Sequence, residues 1–152
     1  TLIDRQALIV TFNGQGFDLP LMHQVAAHHA LYASPNPAPG QITGWHSLSD
    51  KSYDILAEIW AVTGRDFSTG NSLDALCQHN DLGAKTGHGA KAPKLWQQGR
   101  VAEVINYCQN DILLTKSLAE LVAINHGKLS RPAGDVHIRY LNETGYIQNP
   151  GS

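Results

Sequence analysis

The apolar run Ala7-Leu8-Ile9-Val10-Thr11-Phe12 stops at Asn13-Gly14, and that junction constrains the fold more than any other stretch of the chain. A short apolar run rich in β-branched residues and closed by a turn dipeptide predicts a buried strand. Asp18 follows at the head of a periodic apolar segment, Leu19, Leu21, Met22, Val25 and Ala26, where a helix should begin. A carboxylate just past the end of a buried strand can do two things. It can cap the helix by accepting its free amide hydrogens, or it can hold a metal ion. Both roles are open at this point, and one does not exclude the other.

The longest helical pattern lies far downstream. Val101, Val104, Ile105, Ile112, Leu118, Leu121 and Val122 recur at helical spacing, and Gly127 is a natural stop. Within it stands Tyr107-Cys108-Gln109-Asn110-Asp111, with Thr115 beyond. Residues four apart share a helix face, so the Tyr107 hydroxyl and the Asp111 carboxylate point the same way. A phenol can hold a water while the carboxylate holds a metal. Alternatively the tyrosine packs at the core edge and the aspartate is solvated. The spacing is weak by itself, but together with the strand-Asn-Gly-x-x-Phe-Asp-x-Pro segment it is much less common by chance.

With 152 residues and 42% apolar content, the chain has one domain's worth of sequence, and globular, soluble character is expected. No apolar run approaches the roughly 20 residues needed to span a bilayer. Cys77 and Cys108 are far apart and form no zinc-finger spacing, so a reduced, cytoplasmic setting is expected. The net charge of −2 argues against a broadly basic nucleic-acid surface. It leaves room for a processing enzyme in which metal ions offset phosphate charge locally.

The remainder reads coarsely. A helix continues from Leu21 to Leu31, and Ser34 to Gly40 breaks it with prolines. Polar residues to Asp50 extend a long loop; a short strand then covers Lys51 to Ile55 and a helix Leu56 to Val62. Asn71 is expected to cap the next helix, with Asp74 at its third position as in a capping box. Gly83 to Ala92 reads as flexible, and Pro93 opens a helical turn through Trp96. No repeat or linker divides the chain, so 1–152 is read as a single domain, with nothing specific in 128–152.

Other polar clusters carry less. His23, His28 and His29 lie on one predicted helix, but the first two are five apart and share a face poorly. Asp54, at the end of a possible strand, suits a turn or cap better than a metal. Lys85, Lys91 and Lys94, with Gly83, Gly87 and Gly89, form a basic loop able to meet phosphates or simply to connect. Trp45, Trp60 and Trp96 could stack bases, but Trp60 and Trp96 sit in apolar patterns and are expected in the core.

Taken together, Asn13 to Asp18 and Tyr107 to Asp111 resemble the second and third motifs of the DEDD (DnaQ-like) 3′–5′ exonuclease superfamily in its tyrosine version. The chain is similar, from Ala7 to Gly127, to predicted exonucleases related to the proofreading domain of family-B DNA polymerases. The resemblance implies an α/β, RNase H-like exonuclease fold and two-metal hydrolysis of the terminal nucleotides of single-stranded DNA or of RNA, with a place in DNA repair. It implies that Asp111 and Asp18 hold Mg²⁺ or Mn²⁺, and that Tyr107 orients the attacking water. Asn13, Gly14 and Phe17, with Lys85, Lys91 and Lys94, are the expected substrate contacts.

The family's first motif, Asp-x-Glu, occurs nowhere in the chain. The expectation is therefore a domain trimmed at its start, keeping the fourth and fifth strands of a sheet ordered 3-2-1-4-5 in the family. Its bare strand edge should promote self-association, and the piece should be inactive alone. The competing expectation is a non-catalytic nucleic-acid-binding or assembly module of the same fold.

Overall fold

Parallel strands cannot be joined by a tight turn, and the first part of the chain is organised by that constraint. β1 (Ile9–Thr11) pairs in parallel with β2 (Ser52–Asp54), placing Ile9 opposite Ser52, Val10 opposite Tyr53 and Thr11 opposite Asp54. The helix α1 (Asp18–His28) lies in the connection between them. The computed structural model describes residues 8–28, 52–65, 69–87 and 89–151, without the side chains of 23, 26–28 and 69. The chain divides into two compact units, 1–61 and 62–152. The expected histidine cluster of His23, His28 and His29, the proline-rich loop and Trp45 fall outside the described side chains.

One carboxylate ties the first unit together. Asp54 is 2% exposed, and its Oδ1 accepts the amides of Asn13 (2.9 Å), Leu56 (3.0 Å) and Ala57 (3.2 Å). Its Oδ2 accepts the Gln15 amide at 2.9 Å, while Gln15 Nε2 donates to Ser52 Oγ at 3.0 Å. Asp54 therefore caps α2 (Ile55–Thr63) and also closes the turn after β1. The cap role expected for Asp54 is the one observed. In that turn Asn13 has φ 63°, a left-handed conformation that asparagine tolerates. A Cβ on Gly14 would come 2.5 Å from Thr11 Cβ, so the turn requires glycine there. Leu19, Tyr53, Ile55, Leu56 and Ile59 are buried.

The second unit is built on α5 (Val101–Ile124). Leu114, Leu118 and Val122 are its buried positions, four apart and so on one face. Before it come a 3₁₀ turn at Thr69–Asn71, α3 (Leu73–His79), a second 3₁₀ turn at Gly89–Lys91 and α4 (Ala92–Gln97), and both α3 and α4 pack against α5. Pro93 stands in the first turn of α4, as expected, where its missing amide costs nothing. After α5, Gly127 has φ 88° and donates to Val122 O at 2.8 Å. A Cβ there would overlap the Ile138 carbonyl, so the expected stop is enforced sterically.

Three expectations are corrected. The α3 cap is Ser72, whose Oγ accepts the Ala75 amide at 3.1 Å. Asn71 is instead buried, and its Oδ1 accepts from Arg131 Nη1 at 2.6 Å. Arg131 Nε also donates to Gly134 O at 3.0 Å, so the buried guanidinium is hydrogen-bonded. Trp96 is 61% exposed on α4, where a core position was expected, and Trp60 is only partly buried. The tail is ordered as two hairpins, β3 (Lys128–Leu129) with β4 (Val136–His137) and β5 (Tyr140–Leu141) with β6 (Ile147–Gln148). Asn142 Oδ1 accepts the Thr144 and Tyr146 amides, closing the second turn. Strands two residues long leave no periodicity to detect in sequence.

Replacing Asp54 with alanine strands four backbone amides and should cost about 3 kcal/mol or more. Asp54→Asn keeps Oδ1 with its three donors but turns an NH2 toward the Gln15 amide, so it should cost less than alanine, about 1–2 kcal/mol. Denaturant unfolding of the two variants measures the difference, and equal losses would remove Asp54 from this role.

Candidate active site

Asp18 is the first residue of α1, exposed in the first turn, where a negative charge suits the helix dipole. The turn before it is closed by Gly14 O, which accepts the Leu19 amide at 2.8 Å and the Phe17 amide at 3.3 Å. Partial desolvation raises the Asp18 carboxyl above its ordinary value; its own backbone amide opposes this, and the charge of Asp54 adds to it. Gly14 is buried, Asn13 is exposed with its amide on Asp54, and Phe17 is 63% exposed. The second-motif residues thus lie on one turn whose backbone is held by Asp54.

In the second unit, Tyr107 and Asp111 stand one helical turn apart on α5, as the spacing requires. Lys85 joins them. Its Nζ lies 2.8 Å from Asp111 Oδ2, 3.4 Å from the Tyr107 hydroxyl and 5.7 Å from the centre of the Tyr107 ring. Burial alone would lower the Lys85 ammonium, but the Asp111 bond and charge, with Tyr107 adding, outweigh it and hold the value up. Burial also raises Tyr107, helped by its hydrogen bond to Asp111 and opposed by that from Lys85. The phenol therefore stays protonated and remains a donor at neutral pH. Thr115 Oγ1, just beyond, donates to Asp111 O at 2.9 Å.

The loop carrying Lys85 is bound at several points. The Lys85 amide donates to Asp74 Oδ1 at 2.7 Å, and Ala84 O accepts from Asn110 Nδ2 at 3.4 Å. Gly87 and Gly89 lie against Tyr107, where Cβ atoms would come 3.3 Å from the ring and 3.1 Å from the hydroxyl. Segment 83–87, read from sequence as flexible, is thus irregular but hydrogen-bonded. Lys91 and Lys94 are exposed on the 3₁₀ turn and α4. The Lys85–Asp111 pair and the Asp74 tie were not anticipated; an aspartate left over beside a serine cap was the available signal.

Asp111 Oδ1 is buried and has no hydrogen-bond partner among the described residues. A buried carboxylate oxygen without a donor is costly, and an ion is one of the few things that explain it. A hard divalent cation takes such an oxygen, so this residue fits the family's metal. Among the described residues no group of three or more His, Cys, Asp or Glu side chains is arranged to hold a metal. None of their helices is long and apolar enough to cross a membrane.

Cys77 is fully buried on α3, its Sγ 3.8 Å from Leu114 O. Burial pushes its thiol up from 9.0 to about 11; the charges of Asp74 and Asp111 add to this and Lys85 opposes it. The folded state therefore keeps the proton that the unfolded state loses. Its contribution is intact below pH 9.0 and is lost as pH rises toward about 11. Unfolding midpoints should decline across that window, and Cys77→Ala should flatten the decline. A thiol reagent near neutral pH should label exposed Cys108 and spare Cys77.

No curated protein and no solved structure matches the chain. A family model described as "Predicted 3′-5′ exonuclease related to the exonuclease domain of PolB" matches residues 1–144, extending past the Gly127 limit expected from the motifs. The mixed α/β architecture, with its open parallel pair, is that of an RNase H-like exonuclease fold. The chain belongs to this family of predicted 3′–5′ exonucleases, within the DEDD superfamily.

Proposed function

We propose that this chain carries the second and third motifs of a 3′–5′ exonuclease that hydrolyses terminal phosphodiester bonds of single-stranded DNA. The observation that carries this reading is the buried Oδ1 of Asp111, without a partner among the described residues and one turn from a protonated Tyr107. Asp111 and Asp18 would hold Mg²⁺ or Mn²⁺, since oxygen donors suit hard divalent ions. Two such ions, when bound, activate a water and offset the charge on the departing oxygen.

The chain's own residues do the positioning. Tyr107 directs its hydroxyl proton to the attacking water, fixing the line of approach to phosphorus. Lys85 balances Asp111 through Oδ2 and leaves Oδ1 free. Asn13, Gly14 and Phe17 take the terminal nucleotide, with the exposed Phe17 ring offering a stacking surface. Lys91, Lys94 and the ammonium of Lys85 lend positive charge to the phosphates. RNA is the alternative substrate. In the same reading, the outer edge of β1 pairs with a second copy, and sedimentation as a monomer at micromolar concentration would reject that part.

A second reading is a non-catalytic nucleic-acid-binding or assembly module. It is favoured by the Lys85–Asp111 ion pair, which neutralises the carboxylate without any metal. Activity separates the two. The protein as its gene encodes it should release mononucleotides from labelled single strands in Mg²⁺, and Asp111→Ala should lower the rate by about a hundredfold or more. Strand binding without hydrolysis would favour the module. The 152 residues by themselves hold no Asp-x-Glu and should hydrolyse negligibly, because two carboxylates cannot hold two hydrated ions firmly.

A further inference from the structure

We propose that Asp74 is a positioning residue for the Tyr107–Asp111 pair and acts through Lys85. The proposal deepens the exonuclease reading, because its consequence matters only if Tyr107 and Asp111 are the working pair. Asp74 lies in the first turn of α3, where an aspartate ordinarily serves the helix terminus. Here the terminus is already capped by Ser72 Oγ, and Asp74 Oδ1 turns to the Lys85 amide at 2.7 Å.

Lysine has a long flexible stem, so the position of its ammonium depends on where its backbone is held. The Lys85 backbone is held by Asp74 on α3, and its ammonium reaches Asp111 Oδ2 and the Tyr107 hydroxyl on α5. Gly83, with φ +107°, precedes this point close to Leu114, and Gly87 and Gly89 follow it against Tyr107. The loop is therefore pinned on α3 and read out on α5. Releasing the Asp74 tie lets the Lys85 backbone drift, and the ammonium no longer selects Oδ2 of Asp111 over Oδ1, the oxygen that would be left for a metal. Groups that orient a ligand in this way commonly change metal affinity or activity by 10–100-fold, although they touch neither metal nor substrate.

Asp74→Ala, Asp74→Asn and Ser72→Ala distinguish this from a merely structural role. Asparagine keeps an Oδ1 acceptor for the Lys85 amide, whereas Ser72→Ala weakens the same helix without touching the tie. Amide hydrogen exchange at Lys85, and labelling of its amine by an acylating reagent with exposed Lys91 and Lys94 as internal references, read the position directly. The expected result is fast exchange and fuller labelling of Lys85 in Asp74→Ala alone, with Asp74→Asn and Ser72→Ala like the wild type. Lys85 as protected in Asp74→Ala as in the wild type overturns the proposal, and so does equal deprotection in Ser72→Ala. Mn²⁺, read by paramagnetic broadening at the Asp111 amide, should bind about tenfold more weakly in Asp74→Ala and not in Asp74→Asn. Absence of that broadening in the wild-type protein as its gene encodes it defeats the nuclease reading, while the Lys85 readouts still decide the position of the loop.

Discussion

A desolvated carboxylate oxygen must be compensated, and the chain treats those of Asp54 and Asp111 in opposite ways. Asp54 is saturated by four backbone amides, from the turn after β1 and the first turn of α2. Such a group is structural: its four bonds join two segments that are remote in sequence. Asp111 is held on one oxygen by Lys85 and left open on the other. An oxygen kept dry and unpaired is destabilising in the chain as it stands, and that cost is understandable where a ligand completes the shell.

The same contrast explains why the motif residues sit where they do. Asp54 holds the amides of Asn13 and Gln15, which sets the turn from which α1 departs with Asp18 at its head. The position of Asp18 is thus inherited from Asp54, and the charge of Asp54 contributes to raising its carboxyl. In the second unit, α5 buries Leu114, Leu118 and Val122 and so fixes which face carries Tyr107 and Asp111. The loop from Gly83 onward is folded onto that face without regular structure, held by Asp74, Asn110 and two close-packed glycines.

How much of this was legible in sequence follows from the range of each interaction. The Ile9–Thr11 strand, the helix at Asp18, the helix after Asp54, Pro93 and the Gly127 stop are local signals, each realised within a residue or two, but the strand expected to be buried is not, with Val10 36% exposed. The Tyr107–Asp111 pairing is local too, since helical spacing alone dictates it. The Lys85–Asp111 ion pair, 26 positions apart, and the Arg131–Asn71 bond, 60 apart, leave no trace in periodicity. Asn71 was misread for that reason. It looks like a cap beside Ser72, and only the distant guanidinium shows that its side chain is engaged elsewhere. Trp96 departs from the apolar pattern: Ala92 and Leu95 take the inward side of α4, and the indole next to Leu95 faces solvent.

Lys85 bears on both readings of the chain, and its geometry decides how they relate. An ammonium on Oδ2 lowers the cost of a partly buried carboxylate, which a non-catalytic descendant of the fold would also need. Selection for neutrality alone would be served better by pairing both oxygens, because the unpaired Oδ1 wastes a desolvated acceptor. The phenol adds to this. A tyrosine retained only for packing has no need of a hydroxyl poised between a lysine and an aspartate, whereas one that must present its proton does. Asp111 Oδ1 has no partner among the described residues while the Tyr107 hydroxyl meets both Lys85 and Asp111, so the open carboxylate oxygen alone carries the proposed metal reading.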